Sequence, residues 1–135
     1  MHGVMNTDNI AVSGACIDYG PYAFMDVFDP HHVCNHSDSE ARYSFRNQPT
    51  MMMFAITKQA EALAELIGAE LDLAQKHDGT GYVEVAQGWG EAGVEAEQMA
   101  GWRKTGLESL QGVKDEFVTV FTDEYTRLMR LVSVL

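Results

Sequence analysis

Positive charge is scarce in this sequence: nine Lys and Arg stand against twenty Asp and Glu in 135 residues, for a net charge of −11. Without clustered cations to meet a phosphate backbone or an anionic lipid surface, nucleic acid and membrane are excluded as general partners, although a metal ion can still bridge to a nucleotide. Cysteine is nearly absent. Cys16 and Cys34 are too few for a disulfide scaffold, and two free thiols fit a reducing, intracellular compartment. No apolar run approaches the roughly 20 residues needed to span a bilayer. The start, Met1-His2-Gly3-Val4-Met5-Asn6, has neither a basic nor an apolar leader region, and no Arg precedes Arg42, so no targeting segment is visible. Internal repeats and low-complexity runs are also lacking. What is present is an ordinary globular composition, 46% hydrophobic and 21% charged, in a length that makes a single domain.

Three textures follow one another. Residues 2–48 are rich in Asp, Asn, His and Gly with short β-branched runs, a composition of turns, brief strands and polar loops. From Pro49, whose missing N–H is harmless in a first helical turn, Met53, Ile56, Ala60, Leu63, Ile67 and Leu71 recur at helical spacing and predict a core-facing amphipathic helix that breaks or ends at Gly68. Residues 78–106 hold seven of the twelve glycines and predict a mobile loop or insertion. Beyond it Leu110, Val113, Phe117, Val120, Phe121, Leu128 and Val132 predict a long final helix. The expected fold class is therefore α+β, with a short β-hairpin near the start followed mainly by α-helices, in one domain over 1–135.

The densest polar signal lies at the start. Two apolar tripeptides, Ile10-Ala11-Val12 and Ala15-Cys16-Ile17, flank Ser13-Gly14; paired as a hairpin, they bring Asn9 and Asp18 to the same open end. An amide oxygen and a carboxylate are hard donors suited to Mg²⁺, which takes one or two protein ligands and fills its octahedron with water and phosphate oxygens. Asp8 adjoins them, where a carboxylate can take a proton from an attacking hydroxyl. The alternative is structural, because Asn and Asp close turns and cap helices in every fold.

These residues, with Ile17-Asp18-Tyr19-Gly20-Pro21-Tyr22, Phe28-Asp29-Pro30, Val33-Cys34-Asn35-His36-Ser37-Asp38 and Arg42-Tyr43-Ser44-Phe45, closely resemble the selenoprotein O family. The likeness is nearly continuous over 2–49 and looser through Gln59-Ala60-Glu61-Ala62-Leu63, Phe121, Glu124-Tyr125 and Leu128-Met129-Arg130. The family comprises protein-kinase-like proteins that transfer AMP from ATP to hydroxyl side chains of other proteins. The resemblance thus implies part of a kinase-like C-terminal helical lobe, ATP with Mg²⁺ (Mn²⁺ as alternative), and protein substrates with hydroxyl side chains. It implies Asp8 as catalytic base, Asn9 and Asp18 as metal ligands, and Asp18 also at the nucleotide. A eukaryotic member would be mitochondrial and a bacterial one cytoplasmic. An ordinary kinase puts four residues between catalytic Asp and metal-binding Asn; here the two are adjacent.

Ala23 and Ala41 stand where the family leads one to expect glycines, Cys16 replaces a Thr, and Phe54-Ala55 a Trp-Asn pair. A preceding phosphate-covering loop, a strand lysine and its partner glutamate are missing, so the expectation is a fragment with half an active site and feeble activity. The readings that compete are γ-phosphoryl transfer at the same site and an acidic helical binding module. Other signals have plainer explanations. Gly88-Trp89-Gly90-Glu91-Ala92-Gly93 matches a dinucleotide fingerprint, but Trp89 and Glu91 put bulk and charge where a pyrophosphate must approach. His31, His32, Cys34 and His36 read as a zinc cluster or as an ordered polar loop. Arg42 and Arg46 are expected to pair with Asp38 or Glu40, and His2 to support the loop behind Asp8.

Overall fold

The computed structural model describes residues 1–17, 19–20, 22–76 and 94–132. It divides into two compact units, Met1–Lys58 and Gln59–Leu135. Among the described residues three helices carry most of the backbone: α1 (Gln48–Ala62), α2 (Ala64–Lys76) and α3 (Ala96–Val132). The molecule is therefore mostly helical rather than balanced α+β. Among the described residues the expected hairpin survives as one antiparallel bridge, Ile10 with Cys16. No described helix is long and apolar enough to cross a membrane.

The first unit is organised by turns, with short polar side chains supplying the partners that strands would otherwise provide. Asp29 Oδ1 accepts the His31 N–H at 2.8 Å, and Asn35 Oδ1 accepts both the N–H and the hydroxyl of Ser37. The Asp38 carboxylate takes two backbone donors, Arg42 N–H at 3.0 Å and Tyr43 N–H at 2.8 Å. Phe45 and Arg46 then donate back to the carbonyls of His32 and Pro30, which closes the segment on itself ahead of α1. This loop reverses at Ala41, whose φ of 55° is the one positive value outside glycine among the described residues. Ala23 has no such value, so only one of the two expected glycine positions needs one. The Arg42 guanidinium does not pair with Asp38 or Glu40. It lies 5.2 Å from the Phe54 ring centroid and 5.7 Å from that of Tyr43, because Asp38 is already occupied by backbone N–H groups.

The second unit is an antiparallel pair, α2 against the first turns of α3. Its seam is made of small residues. Gly68 does not end the helix: hydrogen bonding runs through Leu63 and on to Lys76, and Gly68 instead sits where a Cβ would lie 1.8 Å from the Trp102 carbonyl oxygen. Gly106 is the reciprocal case, with a Cβ position 1.9 Å from the Ala64 carbonyl oxygen. Each helix thus brings a glycine against the other's backbone, and Ala64, Ala69, Trp102 and Leu110 are buried around the contact. The expected large apolar stripe is not the buried face: Leu63 and Leu71 are 37% and 41% exposed. Trp102 Nε1–H donates to Asp72 at 3.0 Å, and Arg103 pairs with Glu65 at 2.7 Å, which fixes the register of the pair.

Residues 96–106, expected within a loop over 78–106, are instead the opening turns of α3, with Gly106 required by the packing rather than by loop flexibility. Residues 78–93 of that expected loop, including Gly88–Gly93, lie outside the described residues. At 37 residues α3 is about 55 Å long. After Leu110 its expected stripe is exposed or half-buried, with Phe117, Phe121 and Tyr125 stacked along one side at 6.0 and 5.9 Å.

These contacts set four expected outcomes. Gly68→Ala or Gly106→Ala should destabilise the second unit by about 1–3 kcal/mol or more, through a backbone collision that cannot relax locally. Gly112→Ala, with open space at its Cβ, should stabilise by up to about 1 kcal/mol; urea unfolding followed by tryptophan fluorescence reads both. In the first unit, Ala41→Gly should slow amide exchange at Arg42 and Tyr43 by about fivefold, matching roughly 1 kcal/mol of relieved left-handed strain. The Arg103 hydrogen bond holds the Glu65 carboxyl below its ordinary 4.5. Since that value is depressed in the folded state, the stabilisation is present above 4.5 and lost as pH falls through the lower folded value. The stability difference between the parent and Glu65→Gln should therefore shrink in acid, and an unchanged difference at low pH would contradict the pairing.

Candidate catalytic turn and cation site

Asn6 opens the site. Its backbone is extended (φ −90°, ψ 172°), the geometry of an N-cap, and its Oδ1 accepts the Asn9 N–H at 3.1 Å; the Asn6 carbonyl shares the same donor at 3.3 Å. A single 3-10 turn, Thr7–Asn9, follows from this closure. It places Asp8 and Asn9 side by side, with Asp8 exposed and Asn9 half-buried. Among the described residues the Asp8 carboxylate makes no ion pair or hydrogen bond.

Asn9 is held from three directions. Its N–H goes to Asn6, its carbonyl accepts the Ile17 N–H at 2.9 Å, and its side-chain Nδ2 donates to the Val4 carbonyl at 2.9 Å. A carbonyl can only accept, so the last bond fixes which end of the amide points where. Oδ1 is the one hydrogen-bonding atom of Asn9 with no partner among the described residues. Behind it, Val4 N–H donates to His2 Nδ1 at 3.2 Å. That bond needs a lone pair on Nδ1, which makes Nε2 the protonated nitrogen, set against Cys16 Sγ at 2.6 Å. His2 is therefore a support for the loop, as expected of it.

The return of the chain toward Asn9 depends on a compact reversal. Gly14 N–H closes a turn onto the Ala11 carbonyl at 2.9 Å, Gly14 itself takes φ 80°, and Ala11 N–H pairs with the Ala15 carbonyl at 2.9 Å. A residue in the left-handed region after a tight turn is a standard hairpin closure, and glycine adopts it without strain. Asp18 lies outside the described residues. Its chain neighbours are both tied to the loop that bears Asp8: Ile17 through its bond to Asn9, and Tyr19 through a ring contact with His2 at 5.4 Å between centroids.

Of the predicted site residues, Asp8 and Asn9 are thus brought together in one turn. The residue that sequence reasoning passed over is Asn6; the spacing Asn-x-x-Asn, with a cap acceptor three residues before the donor it closes on, was the available signal. The His31–His36 segment is a polar loop of Asp29 and Asn35 turns, and among the described residues no group of three or more His, Cys, Asp or Glu is placed to hold a metal ion. The residues that fit a cation are of another kind. Asn9 Oδ1 is a neutral oxygen donor, oriented and without a partner among the described residues, of the sort Mg²⁺ accepts beside a carboxylate.

The family described as protein adenylyltransferase SelO matches residues 1–132. The protein nucleotidyltransferase YdiU of Dechloromonas aromatica is 36% identical over the whole chain, which covers 27% of that relative. Its counterpart from Bradyrhizobium is 46% identical over 79% of the chain and 21% of the relative. That of Klebsiella pneumoniae is 52% identical over 69 residues, 14% of its length. The chain therefore spans about a quarter or less of the curated relatives it matches. No solved structure matches it. A match over nearly every residue, with the Asp8–Asn9 turn inside it, establishes that the chain belongs to the SelO family of protein adenylyltransferases.

Proposed function

We propose that this chain carries the catalytic turn and cation site of a protein adenylyltransferase, set in part of a protein-kinase-like helical lobe. The observation that carries the reading is the adjacency of two differently prepared groups in one turn: the exposed carboxylate of Asp8, unpaired among the described residues, and the oriented Oδ1 of Asn9. Asp8 accepts the proton of a Ser, Thr or Tyr hydroxyl on a protein acceptor as that oxygen bonds to the α-phosphorus of ATP. The bond from the α-phosphorus to its bridging oxygen breaks, the electron pair leaves with pyrophosphate, and AMP stays on the acceptor. Asn9 and Asp18 are the groups to hold Mg²⁺, with Mn²⁺ as alternative, and Asp18 also has a nucleotide-binding role in this reading. A divalent cation held there supplies charge neutralisation to the phosphates. The names of the relatives and the family support this chemistry.

The reading predicts that radiolabel on the α-phosphate of ATP passes to protein, weakly for this chain alone because positioning supplies much of such catalysis. Asp8→Ala should lower the transfer about 10²-fold or more, to background. Label passing only from the γ-phosphate would assign phosphoryl transfer instead, and full α-label transfer by Asp8→Ala would remove Asp8 as the base.

A further inference from the structure

Asn9 has a single atom left for a cation, and the direction of that atom is set by how the Thr7–Asn9 turn is rotated about the chain. Two contacts limit that rotation from the N-terminal side: the Asn6 Oδ1 bond to Asn9 N–H at 3.1 Å and the longer Asn6 carbonyl bond to the same N–H at 3.3 Å. The second is intrinsic to any 3-10 turn. The first exists only because residue 6 has a short side chain whose oxygen, carried on Cγ, reaches back to the turn as an N-cap acceptor. We infer that Asn6 is a positioning residue for the cation site: through the Asn9 N–H it holds the turn so that Asn9 Oδ1 and the Asp8 carboxylate are presented together. This rests on the reading of Asn9 as a cation ligand.

The network makes the role specific. With Oδ1 of residue 6 gone, the Asn9 N–H retains one long partner, and the turn is free to swing about the two remaining anchors, Nδ2 to Val4 and the carbonyl to Ile17. Neither anchor uses the Asn9 N–H, so neither replaces the lost restraint. Asp8 moves with the turn because it is the middle residue of it. A three-residue turn has no second cap to share the load. Asn6 touches neither acceptor nor nucleotide in this scheme; its effect passes entirely through Asn9.

The test uses the 135-residue chain and free Mn²⁺, whose electron paramagnetic resonance signal is lost on binding, together with thermal unfolding by circular dichroism. Four proteins are compared: the parent, Asn6→Ala, Asn6→Ser and Asn9→Ala. The Asn9-dependent component of binding, defined by what Asn9→Ala removes, should weaken about tenfold in Asn6→Ala, the affinity equivalent of one lost cap, and stay within about threefold of the parent in Asn6→Ser, which keeps a capping acceptor. If Asn6→Ala melts earlier yet binds Mn²⁺ as tightly as the parent when folded, Asn6 is only a structural cap and the inference is overturned. Equal weakening in Asn6→Ala and Asn6→Ser overturns it too, since the acceptor is then not the operative feature. If Asn9→Ala removes no binding, or the parent binds no Mn²⁺, the underlying cation reading falls and takes this inference with it. Should Asn6→Ala fail to fold, Asn6→Thr against Asn6→Val gives the same comparison with and without an acceptor at nearly equal shape.

Discussion

The hydrogen bond from Asn9 Nδ2 to the Val4 carbonyl is the constraint on which the candidate site depends. An amide side chain is nearly symmetric in shape, and without a partner for its nitrogen it turns either end outward. Here the nitrogen is committed to a carbonyl, so the oxygen faces away from Val4. The commitment is itself supported, because Val4 is held through its N–H by His2, and His2 is steadied by Cys16 and Tyr19 from the hairpin side. A chain of ordinary contacts, none buried deeply, converts a flexible polar residue into a directed donor beside a carboxylate.

The same economy marks the second unit, where close approach replaces bulk. Two glycines let α2 and α3 touch through their backbones, and the close contact gains dispersion along the seam where large side chains would hold the helices apart. Trp102 and Leu110 seal the margin, while Trp102 to Asp72 and Arg103 to Glu65 tie the polar edge. Much of the large apolar surface on these helices stays partly open as a result.

How much of this was legible in the sequence varies with the range of the cause. Helices over 48–76 and toward the end show in 3.6-residue periodicity, because that pattern is local. Which face is buried does not, since it is decided by Gly68 meeting Trp102, 34 positions further along the chain, and the apolar stripe from Met53 to Leu71 pointed elsewhere. Gly106 reads as a loop residue for the same reason: composition cannot distinguish a glycine that loosens a chain from one that admits a neighbouring helix. The reversal at Gly14 was legible, being set by contacts within a few residues, whereas the Thr7–Asn9 turn was not, because the Asn6 cap that closes it was passed over. Ala41 was legible only as an odd residue; that it carries a positive φ needed coordinates.

Where a divalent cation sits on this chain decides the role of the Asp8–Asn9 turn. Paramagnetic broadening of amide signals by substoichiometric Mn²⁺ in an isotope-labelled chain locates it residue by residue. Asn9, Asp8 and the returning segment around Ile17 and Tyr19 should broaden first, ahead of the many other acids of a chain with net charge −11. Broadening confined to the acidic positions of α3, such as Asp115 and Asp123, with Asn9 left sharp, would contradict the central claim.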